Sequence, residues 1–213
     1  MTTETIRKRL IIFTRYPEPG HTKTRMIPAL GAEGSAGLQR QMAEHTLVQV
    51  RKVQAELEVH FAGGSQRLMQ DWLGADLTYQ QQSEGDLGQR MKSAFEVSFA
   101  DGINRTVMVG VDCPDINTTI IAEAFDALEQ QDLVLGPAAD GGYYLIGLKC
   151  LIPELFLGIN WGTSQVLAKT QSIAQKLGLT VYYLPLLEDV DRPEDLAIWE
   201  RYHLSSTESS RRS

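Results

Sequence analysis

Lys23 and Arg25 stand two residues apart in "RYPEPGHTKTRM", residues 15–26, directly after the apolar run "LIIF". Arg offers paired hydrogen bonds to phosphate oxygens, and Lys a mobile point charge. Pro17 and Pro19 stiffen the approach and Gly20 permits close backbone contact. A phosphate-binding P-loop needs Gly, four residues, then Gly-Lys-[Ser/Thr]. Here Thr22 precedes Lys23 and Pro17 takes the place of the first glycine, so any phosphate is handled by another scheme. The competing reading is a solvated basic turn.

Three further loops carry carboxylates. The apolar run "VMVGV" leads straight into Asp112, which can hold Mg²⁺ or Mn²⁺ through its oxygens or brace the turn that follows. In "GPAADGGYYLIG", Asp140 precedes Gly141 and Gly142. It can serve as a general base for an acceptor hydroxyl, or start an Asp-Gly hairpin turn. In "LLEDVDRPEDL", Asp189 and Asp191 share one face if the strand continues, although Asp191-x-x-Glu194 also resembles a helix-capping arrangement.

These loops need elements to hold them. Strand patterns fall at "RLIIF", "LEVHFAG", "LTYQQ", "RTVMVGV", "LVLGP", "GYYLIGL" and "LTVYYLPLL". Helical spacing falls at residues 35–54, 65–73, 86–100, 117–131, 163–178 and 192–203, with Asn117 as a cap and Gly178 as a stop. Strands alternating with helices predict an α/β fold, a mostly parallel doubly wound sheet with helices on both faces. Ligands in such sheets sit at the carboxyl ends of the strands, which selects residues 14–26, 112–116, 137–142 and 187–192. No linker or repeat interrupts residues 1–204, read as a single domain, and the polar stretch 205–213 reads as a disordered tail.

Composition excludes several classes. With 43% hydrophobic and 22% charged residues, the chain is of ordinary globular type. A net charge of -7 argues against general affinity for nucleic acid. No apolar run is long enough for a membrane helix, and "LIIF" is too short for a signal core. Cys113 and Cys150 lie far apart, without metal-type spacing, so the expected home is a reducing cytoplasm. His21, His45, His60 and His203 show no ligand spacing, and Gly31, Gly34 and Gly37 form GxxGxxG, not a dinucleotide fingerprint. There is no G-x-S-x-G elbow, Cys113 has no evident histidine partner, and Trp72, Trp161 and Trp199 read as core or rim.

Taken in order, "IIFTRYPEPGHTKTRMIPALG", "GDLGQRM", "VGVDCPDI", "LGPAADGGYYLIGL", "WGTSQVL" and "DVDRPEDL" resemble a bacterial group of glycosyltransferase-like proteins of the arsenosugar-biosynthesis type. That group is part of the nucleotide-diphospho-sugar transferase superfamily, and the resemblance spans roughly residues 9–203. It implies the GT-A fold and a small-molecule acceptor. Lys23 and Arg25 would grip nucleotide phosphates. Asp112 would be the metal-binding aspartate, with Asp191 a second ligand and Asp189 in reserve. Gln82, Gly85, Asp86 and Arg90 would contact base or ribose. Strict glycosyltransferases of the superfamily often show Asp-x-Asp; "DCPD" has an extra residue, which counts against Asp115 as a ligand. Three activities follow: metal-dependent glycosyl transfer from a nucleotide-diphospho-sugar, guanylyl or cytidylyl transfer from an NTP to a phosphorylated small molecule with release of pyrophosphate, and nucleotide binding without turnover.

Overall fold

A computed structural model of the chain describes residues 6–202; the expected tail at 205–213 and His203 lie outside the described residues. Seven strands form one sheet in the order β3-β2-β1-β4-β6-β5-β7. They are β1 (Lys8–Arg15), β2 (Glu56–Ala62), β3 (Thr78–Gln81), β4 (Arg105–Val109), β5 (Leu133–Pro137), β6 (Tyr143–Leu148) and β7 (Val181–Tyr183). Helices α1 (Ile27–Val50), α2 (Gln66–Leu73), α3 (Leu87–Ala100), α4 (Thr118–Ala127) and α5 (Val166–Lys176) connect them. A helical segment also spans residues 196–202.

Every predicted strand and helix is present, and two of them differ clearly in extent. The first helix begins at Ile27 rather than residue 35, interrupted at Gly31, whose φ of 70° no ordinary side chain adopts readily. The strand expected over 179–187 ends at Tyr183, leaving only a bridge between Ala138 and Leu187. Pro185 has no N–H for a ladder there. Pairing is parallel throughout except at β6, which runs antiparallel to both β4 and β5. The short "AADGG" link dictates this, because five residues suffice for a hairpin but not for a crossover.

Apolar side chains alternate along the strands and feed two cores. One packs Leu10, Ile12, Val107 and Val109 against α1 and α4; the other packs Ile11, Met108 and Ile146 against α3 and α5. A third cluster joins Met26, Leu38, Met42, Val190 and Trp199. This small cluster matters because Met26 adjoins Arg25 and Val190 lies between Asp189 and Asp191.

At the far end of the sheet, Asp132 clamps β5 to β7. It accepts from the Thr180 amide at 2.9 Å and hydroxyl at 2.7 Å, and pairs with Lys149 at 2.9 Å. These partners, the Thr180 amide first, hold its carboxyl down to about 2, against an ordinary 3.8. A depressed carboxyl contributes stability that is present above the unfolded value and lost as pH falls through the folded one. Asp132→Ala is therefore expected to cost about 1 kcal/mol at pH 7 after solvent screening, or about 2–4 °C in Tm. The deficit should shrink between pH 4 and pH 2, which thermal melts across that range would check.

Candidate active site

β1 and β4 are adjacent and parallel, and the strand order reverses between them: the chain goes from β1 to β2 toward one edge of the sheet and from β4 to β5 toward the other. Their carboxyl ends mark a topological switch point, the usual ligand crevice of open α/β sheets. The loop after β1 brings Lys23 and Arg25; the loop after β4 brings Asp112. Backbone hydrogen bonds knit the other two loops onto this edge. Val190 N donates to Asp112 O at 2.8 Å, Ala139 N to Leu187 O at 2.9 Å, and Leu187 N to Pro137 O at 3.0 Å. All four loops selected in the sequence thus meet at one place.

Lys23 sits at the centre. Among the described residues it is the one non-glycine with positive φ, at 46°. A left-handed turn costs an L-residue about 1–2 kcal/mol, and such strain concentrates at functional sites. The turn buries the Lys23 side chain to 4% exposure and aims Nζ at two acceptors, Asp112 Oδ1 at 2.6 Å and Val190 O at 2.5 Å. Arg25 pairs with Asp191. The two cations expected to grip phosphate are therefore matched, one to one, with two carboxylates expected to bind metal.

Several cavities border these pairs, and two of them share Arg25, Asp112 and Asp191. The larger, about 600 Å³, is lined by Arg15, His21, Lys23, Arg25, Gln39, Gln82 and Arg90, with Asp112 and Asp191 at its edge. Burial and then the neighbouring Arg15 hold the Arg90 guanidinium below its ordinary value. Two like charges held this close call for an anion. The smaller, about 320 Å³, has apolar and aromatic walls and a mouth formed by Asp112, Asp140, Asp189 and Asp191. Phe13, Arg25, Leu87, Asp112 and Asp191 line both.

Asp140 occupies the turn that the sequence allowed for it. It forms the turn of the β5–β6 hairpin, with Gly142 N donating to Oδ1 at 2.7 Å, and it also lines the smaller cavity. Burial, and next the charge of Asp140, push the Asp189 carboxyl up. Asp191 is not spent as a cap: Asp195 performs that task, accepting from the Arg192 amide at 2.8 Å and the Asp191 amide at 3.1 Å.

Gln82 donates to Thr14 O and His60 O, both at 3.0 Å, and accepts from Arg90 at 3.1 Å, so it fixes Arg90 over the larger cavity. Asp86 caps α3 in a reciprocal box with Gln89. Gly85 serves that box, since a Cβ there would fall 2.2 Å from Gln89 Oε1. Gly20, with φ 80°, makes a turn outside both cavities. Asp115 lines neither. Cys113 lines the smaller one, but burial pushes its thiol far up, so it stays protonated. The sequence reading missed Arg15, whose position at the last residue of β1 was the available signal.

Among the described residues no three Asp, Glu, His or Cys side chains gather to hold an ion by themselves. Magnesium and manganese need no such cage when one or two carboxylates act together with substrate phosphates and water. Asp112 meets that demand: its side chain is 51% exposed, and Lys23 takes only Oδ1. The hard oxygen donors at this edge fit Mg²⁺ or Mn²⁺.

Comparison with known proteins places this geometry. A family profile described as "Uncharacterized protein conserved in bacteria (DUF2064)" matches residues 46–163. No curated protein matches in sequence. A Desulfovibrio desulfuricans G20 protein, provisionally assigned as a nucleotide-diphospho-sugar transferase, superposes with a TM-score of 0.84. It is 34% identical over 88% of this chain and 83% of its own. CMP:2-keto-3-deoxy-manno-octonic acid synthetase, solved with CTP, shares the fold at TM-score 0.58 and 11% identity, over 94% and 99% of the two chains. So does a Mycobacterium tuberculosis H37Rv protein in complex with manganese, at 0.56 and 13%, over 91% and 97%. The mostly parallel sheet expected from the sequence is thus a nucleotide-diphospho-sugar transferase fold. No helix among the described residues is long and apolar enough to cross a membrane.

Proposed function

The chain belongs to the bacterial family DUF2064, and from that premise we propose that it is a metal-dependent transferase acting on a nucleotide-diphospho-sugar. One observation carries this reading. A cleft lined by Arg15, Lys23, Arg25 and Arg90 shares Asp112 with a second, chemically different cavity. A diphosphate in the basic cleft would present its sugar toward the second cavity, where an acceptor can wait.

Lys23 and Arg25 bind the leaving diphosphate, and Arg15 and Arg90 hold the rest of the nucleotide with Gln82. Asp112 holds Mg²⁺ or Mn²⁺, with Asp191 or Asp189 beside it; the ion supplies positive charge for the leaving group. Asp140, with Asp189 facing it, orients the acceptor hydroxyl and takes its proton. The acceptor oxygen bonds to the sugar's anomeric carbon as the bond from that carbon to the diphosphate oxygen breaks. The nucleoside diphosphate leaves with the electron pair.

Nucleotidyl transfer is the second reading, favoured by the cation count. Four cationic side chains line the larger cleft, more than a diphosphate needs and well matched to a triphosphate. Product analysis separates the two. With Mn²⁺ and a panel of nucleotide-sugars, slow release of nucleoside diphosphate supports glycosyl transfer. Pyrophosphate release from an NTP would sink it in favour of nucleotidyl transfer.

A further inference from the structure

We propose that the cavity of about 320 Å³ selects an uncharged acceptor with an apolar body that ends in a hydroxyl, and excludes a phosphorylated one. This rests on the donor reading above. The volume falls at the lower end of small-molecule pockets, roughly 300–1,000 Å³.

Its inner wall is built from Phe13, Leu87, Met91, Met108, Tyr143 and Trp161. The last two meet edge to face, with ring centroids 6.4 Å apart. The polar atoms of those two rings, Tyr143 Oη and Trp161 Nε1, are buried from solvent and therefore turned away from this water-accessible space. Trp161 Nε1 lies against α3, where a Cβ on Gly88 would approach within 2.5 Å. A ligand meets carbon here.

Charge completes the selection. The mouth carries Asp112, Asp140, Asp189 and Asp191, and its single cation, Arg25, is engaged with Asp191. A phosphate monoester entering the cavity would meet these carboxylates and no side-chain cation free of a partner; a divalent ion on Asp112 would offset two of the four charges and leave the rest to repel it, unlike the basic cleft next door. A neutral hydroxyl can reach the same carboxylates as a hydrogen-bond donor.

Gly110 provides the handle for a test. It lines this cavity and not the basic cleft, two residues before Asp112. A Cβ built there meets nothing nearer than Tyr144 O at 3.9 Å, and its φ lies outside the left-handed region. A Cβ at 110 would therefore fit without displacing protein, and a longer side chain would take up space in the cavity that Gly110 lines.

Benzyl alcohol and benzyl phosphate, which share one apolar body, are the probes. Binding to the full chain is followed by saturation-transfer NMR, and CTP and a UDP-sugar with Mn²⁺ are titrated in parallel. Benzyl alcohol is expected to bind at least tenfold more tightly than benzyl phosphate, and Gly110→Leu to weaken it tenfold or more with nucleotide affinity unchanged. Gly110→Ala, a smaller intrusion, is expected to give a partial loss and guards against a misfolded leucine variant. Equal binding of the phosphate, or indifference of benzyl alcohol to both substitutions, overturns the proposal. Gly110-sensitive binding of benzyl alcohol with no nucleotide bound at all sinks the donor reading, and with it the acceptor role, while leaving the cavity's selectivity measured.

Discussion

Asp112→Asn is expected to lower turnover by about 10²–10³-fold and to abolish its dependence on Mn²⁺, with little change in melting temperature. The small stability effect follows from the local geometry. Asparagine keeps an oxygen where Asp112 Oδ1 accepts from Lys23 at 2.6 Å, and Lys23 keeps Val190 O at 2.5 Å. The Asp112 side chain is half exposed, so its charge contributes at most about 1 kcal/mol to folding. The large activity effect follows from chemistry, because an amide is a far poorer ligand for a hard cation than a carboxylate. Charge stabilisation by such an ion supplies several kcal/mol, and each 1.36 kcal/mol is tenfold in rate. Rates measured across an Mn²⁺ titration, beside thermal melts, would check it. A variant still stimulated by Mn²⁺ would move the ion to the Asp140–Asp189 pair.

The elements that position Asp112 were legible in the sequence because their signals are local. Apolar alternation at "LEVHFAG", the Asn117 cap and the Gly178 stop each act within a few residues, and the structure uses all three. Burial on both faces was legible at "RTVMVGV", although that strand pairs parallel with β1 and antiparallel with β6. What escaped was set at long range. Nothing near residue 23 shows that its ammonium meets a carboxylate at 112 and a carbonyl at 190. Nothing near 191 shows that Asp195, not Asp191, caps the turn. The hairpin and catalytic readings of Asp140 stayed open because a two-residue turn signal is blind to what lies across the sheet edge. Gly110 left a trace, since a glycine inside an apolar strand often marks close approach of a ligand or backbone. Only the cavity beside it shows which applies.

Lys23→Met is expected to move two affinities in opposite directions. In the protein without nucleotide, Lys23 Nζ occupies one oxygen of Asp112 and places a positive charge where a metal would otherwise bind. Removing it should tighten Mn²⁺ binding in the absence of nucleotide, by about tenfold or 1.4 kcal/mol once the exposure of Asp112 is allowed for. With nucleotide present the sign reverses. Losing one preorganised cation at the developing charge of the leaving phosphate costs about 10²–10³ in turnover. Folding pays less: Val190 O loses its donor, at about 1–2 kcal/mol, or roughly 2–8 °C in Tm. Lys23→Arg, which keeps the charge, should recover part of the turnover and none of the gain in Mn²⁺ affinity. Paramagnetic titration of Mn²⁺ with and without nucleotide, beside single-turnover rates, reads both directions in one preparation. A loss in both would reduce Lys23 to a brace for the loops. Opposite signs would establish that the ion pair holds the empty site closed to metal, and that the arriving phosphate, by taking the lysine, frees Asp112 for it.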